Sequence, residues 1–220
     1  MKQSNQSVQT DRTKVVPSQP SYQSFESAFQ YAIQWTGTIP TKRVRRKVNV
    51  SMFMGNNMAQ SWPDLLIWEA FFNQYNFKTF IELGTGHGGL ALFFALQCIQ
   101  RDIDFHTFDN VKSIKNNHIS ELVNLEDKFH HVDLFKEGHS IISGLIRRKS
   151  PVAVFFDDGD KPREWQTFAP LTKPGDFCIV HDWGTEFGVG DTAGIPVVRL
   201  FGKLSDSRPP GLKSMWFQRE

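Results

Sequence analysis

The sequence predicts an α/β domain: a mostly parallel sheet with helices on both faces and an antiparallel C-terminal strand. Three observations predict it. Short β-branched and aromatic runs alternate with helical segments five times after Asn76, the pattern of right-handed crossovers between parallel strands. The first run stops abruptly in a glycine cluster, FIELGTGHGG (80–89), at the strand edge where such sheets meet ligands. The chain of 220 residues is 40% apolar with 20 phenylalanines, enough for one sizeable core.

Residues 1–24, rich in Gln and Ser, read as a disordered tail without the apolar stretch of a secretory signal. An N-terminal helical and basic arm follows over 25–60, a natural place for homo-oligomer contacts. It holds a short amphipathic helix at 25–35 and a basic stretch at 42–47, which is either a solvated face or a docking stripe for an anionic partner. The main domain is placed at 61–220. Ser61 is positioned to cap a helix with Pro63 in its first turn, and Leu65, Trp68, Phe72 and Tyr75 form its buried stripe.

Strands are expected at 78–83, 104–109, 129–134, 152–157 and 177–182, with helices at 88–100, 111–124, 138–148 and about 164–168. Residues 184–212 suggest loops around one short element, Pro209-Pro210-Gly211 a turn, and 214–219 a last strand. A formal charge of +2 gives no argument for nucleic acid, and no apolar run reaches the roughly 20 residues of a membrane span. Cys98 and Cys178 sit in apolar segments and read as buried free thiols, which points to the cytoplasm.

Gly84, Gly86 and Gly88 allow a tight turn and close approach of a ligand to the backbone, and the helix start behind them offers free N–H groups. Gly84, Gly86 and Gly89 also satisfy the G-x-G-x-x-G spacing of dinucleotide folds, so an NAD-dependent oxidoreductase is one reading. Glu82 favours a cationic cofactor, S-adenosylmethionine, over a pyrophosphate. Asp109, at the second strand end, suits a ribose under either reading. His87 faces the cofactor or is a solvated turn residue. The fourth strand ends in Asp157-Asp158-Gly159-Asp160 and the fifth in His181-Asp182. Strands about 4.8 Å apart bring these acids together, and such acids repel unless a cation or proton lies between them. Oxygen donors suit Mg²⁺, and the histidine widens the choice to Mn²⁺.

Glu82-Leu83-Gly84-Thr85-Gly86-His87-Gly88 resembles the E-x-G-x-G-x-G first motif of class I methyltransferases. The stretch from Asp158-Gly159-Asp160 through Pro170-Leu171 and Lys173-Pro174-Gly175-Asp176 to His181-Asp182 is similar to the D-G-D, P-L-L-x-P-G-G, H-D pattern of cephalosporin-hydroxylase-like methyltransferases. That group is allied to the macrocin-type sugar O-methyltransferases and, more distantly, to catechol O-methyltransferase. The resemblance covers roughly residues 50–185.

It implies a Rossmann-like class I methyltransferase fold, S-adenosylmethionine as cofactor, and O-methylation of a hydroxyl on a small molecule or sugar. It places Glu82, Gly84, Thr85, Gly86, Gly88, Asp109 and Asp133 at the cofactor, with Asp133 at the adenine. Asp157 or Asp158, with His181 and Asp182, falls on the metal positions. Asp158 and Lys161 fall on catalytic positions, Lys161 as general base or else a plain turn lysine. The departures are Lys161-Pro162-Arg163 after D-G-D and Asp176 in place of a glycine. A non-catalytic binding module is the remaining alternative.

Overall fold

The computed structural model describes residues 49–112, 118–148, 151–202 and 212–220. The expected tail, the 25–35 helix, the basic stretch at 42–47 and the 209–211 turn lie outside them, as does most of the 25–60 arm.

The described chain opens with a hairpin. Strands β1 (Asn49–Phe53) and β2 (Asn56–Ser61) pair antiparallel through Met54 and Gly55, at φ 46° and 87°. A two-residue turn with positive φ at both positions matches the twist of paired strands. The hairpin, which precedes the expected domain start at residue 61, packs against the chain around Gly89 and Phe93. A Cβ added at Gly89 would lie 2.3 Å from the Asn57 carbonyl oxygen, and the Phe53 and Phe93 rings meet edge-on at 5.8 Å.

Helix α1 (Trp62–Gln74) starts as the sequence predicts: Ser61 Oγ accepts the Asp64 N–H at 3.2 Å, with Pro63 in the first turn. Leu65, Trp68 and Phe72 are buried, while Tyr75 has already left the helix. Trp68 is the hub of one core face, with ring centroids 4.7 Å from Phe94, 4.9 Å from Phe155 and 5.2 Å from Trp216.

Seven strands form the main sheet: β3 (Thr79–Leu83), β4 (Asp104–Asp109), β5 (Phe129–His131), β6 (Val152–Phe156), β7 (Phe177–Val180), β8 (Val197–Arg199) and β9 (Met215–Arg219). Their order is β5-β4-β3-β6-β7-β9-β8. The first five pair in parallel, whereas β9 runs antiparallel to β7 and β8. The reversed strand inserted beside β7 separates this sheet from the 3-2-1-4-5-6 order of dinucleotide-binding folds. Helices α1 and α2 (Gly89–Gln100) pack on one face, α5 (Glu137–Arg148) and α6 (Lys161–Phe168) on the other.

Several boundaries differ from expectation. The described part of the 111–124 helix is the short α3 (His118–Leu122); left-handed Asn124 (φ 49°) separates it from α4 (Leu125–Lys128). Strand β5 stops at His131, short of Asp133. Strand β7 stops at Val180, because the chain turns at Asp182 with φ 53°. Helix α6 begins at Lys161, because the Asp160 carboxylate caps it by accepting the Arg163 N–H at 3.2 Å. Residues 184–202 hold a 3₁₀ turn (Val189–Thr192) and β8. Asp176 makes the expected turn and also pins the sheet: its carboxylate accepts the Val152 N–H at 2.9 Å and the Lys173 N–H at 2.7 Å. No described helix is long and apolar enough to cross a membrane.

Both cysteines are free and buried. Burial pushes the Cys178 thiol up to about 12 and raises Cys98 further. A thiol reagent at pH 8 is therefore expected to label neither cysteine in the folded protein and both in denaturant, since only the thiolate reacts.

Candidate active site

The switch point of the sheet lies between β3 and β6, whose carboxyl ends open side by side. Gly84 leaves β3 at φ 97°, and a Cβ there would stand 2.4 Å from the Asp157 carbonyl oxygen. Only glycine lets the loop lie flat against the end of β6. The turn closes when Gly88 N–H reaches the Thr85 carbonyl at 3.0 Å, and α2 starts there.

Two carboxylates hold this turn from different sides. Asp109, at the end of β4, accepts the Gly86 N–H and the Val111 N–H, each at 2.8 Å. Glu82 lies fully buried beneath the loop, and Thr107 Oγ donates to it at 2.6 Å. Thr107 has one proton to give, so Thr85 Oγ donates in turn to Thr107 at 2.5 Å. Burial lifts the Glu82 carboxyl well above the usual carboxylate range, and the Thr107 hydroxyl only partly opposes this. Glu82 thus shapes the loop from below and is not part of the cavity wall.

A cavity of about 590 Å³ opens above the loop. Gly84, Thr85, Gly86, His87 and Asp109 form one wall. Asp157, Asp158, His181 and Asp182 form the other, and Asn57 to Gln60 of the hairpin close a third side. Asp133 stands apart from this lining. It is a turn residue, accepting the Phe135 N–H at 2.9 Å and pairing with Lys136 at 3.0 Å.

The two adjacent acids at the end of β6 are placed differently. Asp157 joins His181 and Asp182: His181 Nδ1 lies 2.9 Å from Asp157 Oδ1 and 3.2 Å from Asp182 Oδ2. One donor atom from each of the three lies within 4.8 Å of the others. Neighbouring ligands of an octahedral ion at about 2.1 Å stand about 3.0 Å apart, so this donor set fits a divalent metal. Asp158 lies outside the cluster and faces the cavity, and burial, with Asp109 nearby, pushes its carboxyl up to about 6.

Lys161 is buried against the same acids, 3.3 Å from Asp182, 3.6 Å from Asp157 and 2.9 Å from Glu186. Burial alone would lower its pKa, but the carboxylates of Asp157, Glu186 and Asp182 raise it above the usual lysine value. In this arrangement Lys161 is an ammonium that neutralises the cluster. Burial likewise opposes the charge on His181, yet Asp157 and Asp182 push the imidazole up to about 10. The His181 hydrogen bond holds Asp182 well below its ordinary value.

Three contributors escaped the sequence reading. Gln60 donates from Nε2 to Asp157 Oδ2 at 3.4 Å, and Glu186 pairs with Lys161. Glu164 is fully buried and accepts the N–H groups of Asp158, Gly159 and Asp160 at 3.3, 3.1 and 3.2 Å. A capping box would place this acid at position 163, and here it stands one residue later.

No family model and no curated protein matches the chain. Solved structures match in fold. CmcI N160 with SAH aligns over 85% of this chain and 90% of its own, at 13% identity and a TM-score of 0.54. CmcI D160 with Mg and SAM aligns over 68% and 64%, at 16% identity and 0.48. The O-methyltransferase TomG from Streptomyces achromogenes, in complex with SAM, aligns over 70% and 71%, at 16% identity and 0.43. The sheet order, the reversed β9 and the first of these matches define a Rossmann-like methyltransferase fold.

Glu164→Ala is expected to leave three backbone donors of the Asp157–Asp160 turn without their acceptor. At about 1–3 kcal/mol for each buried donor left unpaired, the loss of stability is expected to reach about 3 kcal/mol in urea denaturation. Amide exchange is expected to accelerate at Asp158, Gly159 and Asp160 before the rest of the sheet.

Proposed function

We propose that the protein is an S-adenosylmethionine-dependent methyltransferase that methylates a hydroxyl of a small molecule or sugar. One observation carries this reading. A single cavity has a glycine turn braced by Asp109 on one wall and the Asp157–His181–Asp182 cluster on the facing wall. The CmcI structure that shares the fold is a complex with SAH, which supports the same cofactor here. Two buried free thiols support a reducing, cytoplasmic setting.

Methyl transfer is an in-line displacement, so the protein mainly aligns nucleophile, methyl and sulfur. When bound, S-adenosylmethionine supplies an electrophilic methyl group on a sulfonium. The flat glycine turn would hold it close to the backbone, and Asp109, with lone pairs left over from its two backbone hydrogen bonds, could accept ribose hydroxyls. Asp109 and Asp158, which lie outside the neutralised cluster, put negative charge on the cavity wall, which suits a sulfonium. A divalent metal held by Asp157, His181 and Asp182 would favour the deprotonated form of the acceptor hydroxyl. Asp158 faces the cavity with a carboxyl poised at about 6, which suits it to receive that proton. Lys161 keeps the two metal-facing carboxylates in place as their fixed counter-charge.

Titration calorimetry tests the reading. S-Adenosylhomocysteine is expected to bind, NAD to give no heat, and Asp109→Ala to weaken S-adenosylhomocysteine at least about tenfold, the loss of one charge-assisted hydrogen-bonded contact. Tight binding of NAD with no response to S-adenosylhomocysteine would replace this function with an oxidoreductase.

A further inference from the structure

We infer that His181 makes the cluster beside the cofactor cavity select a first-row transition dication of the Fe²⁺, Co²⁺ and Zn²⁺ class over Mg²⁺. The inference rests on reading this cluster as the metal site of the proposed methyltransferase.

A hard ion such as Mg²⁺ is held by charge and oxygen donors, and it keeps most of its water. This cluster offers little net charge for that purpose. Its two carboxylates, Asp157 and Asp182, already face the Lys161 ammonium at 3.6 and 3.3 Å, and Lys213 stands 3.7 Å from Asp182. Gln60 Nε2 is directed at the remaining Asp157 oxygen. A cation arriving here therefore gains less from electrostatics than at a site of bare carboxylates.

The third donor is a nitrogen, whose proton is released to solvent as the ion takes its place. His181 Nδ1 points between the two acids, and the ring is buried at 4% exposure, held by the neighbouring strand ends. Imidazole adds a bond that strengthens from Mn²⁺ towards Cu²⁺ and is of little use to Mg²⁺. With the ionic component reduced and the nitrogen donor fixed in place, the balance tips to the transition ion.

The test uses the full chain, with Co²⁺ and Mg²⁺ alone as probes and S-adenosylhomocysteine binding measured on the same samples. The wild-type protein is expected to bind Co²⁺ at least about a hundredfold tighter than Mg²⁺. Paramagnetically shifted imidazole ring protons are expected in its NMR spectrum. His181→Asp is expected to narrow the Co²⁺ to Mg²⁺ ratio at least about tenfold and to lose the shifted signals. A ratio unchanged by His181→Asp, a Co²⁺ complex without imidazole signals in the wild type, or no metal binding at all would overturn the inference. The wild-type spectrum decides even where the variant folds poorly. Intact S-adenosylhomocysteine binding in these cases would leave the methyltransferase reading standing, whereas its absence in the wild type would remove both.

Discussion

Backbone laid against backbone at Gly84 sets the geometry of the whole site. The loop leaving β3 passes so close to the end of β6 that a single Cβ would overlap the Asp157 carbonyl. Because nothing intervenes, the glycine turn and the carboxylate cluster share one cavity and do not form two separate clefts. The remaining interactions hold that approach in place. Asp109 fixes the far side of the turn through Gly86, and the Thr85–Thr107–Glu82 chain anchors it from beneath. Glu164 fixes the opposing turn through three backbone N–H groups. Each brace is a carboxylate holding backbone or hydroxyl donors, so the loops gain rigidity without bulk that would fill the cavity.

The distribution of charge follows from the same crowding. Acids from β4, β6 and β7 converge at one sheet edge, and their mutual repulsion would spread the strand ends unless cations lay among them. Lys161 is such a cation, and the His181 imidazole, buried like it, holds either a proton or a metal ion between the same two acids. Asp158 lies outside the Asp157–His181–Asp182 cluster, and burial, with Asp109 nearby, raises its carboxyl pKa. Two adjacent aspartates thus stand in different surroundings, one inside the cluster and one beside it.

Much of this was legible in the sequence, for physical reasons that also explain the rest. The glycine turn and Asp109 are local features: a strand, a break and an acid at the next strand end, each readable within a few residues. The choice between Asp157 and Asp158 was not, because neighbouring side chains leave a strand on opposite faces. VAVFF, buried at every position, gives no phase to decide which acid faces the cluster. The hairpin was illegible because Asn56–Ser61 buries Asn56, Gln60 and Ser61 with a single large apolar residue, Met58, and so lacks the apolar alternation of a half-buried strand. The resemblance placed Asp133 at the cofactor by its position after the third strand, but β5 ends two residues earlier and the acid turns back onto Phe135 and Lys136.

That hairpin is also tied into the site. Its strand β2 supplies the cavity wall from Asn57 to Gln60, and its position depends on the missing side chain at Gly89. The end of β2 is Ser61, which caps α1, and Asp64 in the first turn of α1 accepts the N–H groups of Lys213 and Ser214 at 3.2 and 2.8 Å. Lys213 in turn lies beside Asp182 in the carboxylate cluster. A continuous path of hydrogen bonds and close contacts therefore runs from the hairpin, through the start of α1 and the entry to β9, to the far wall of the cavity. The segment before the glycine motif is thus a structural part of the site, and removing it would take away one wall and loosen the support of another.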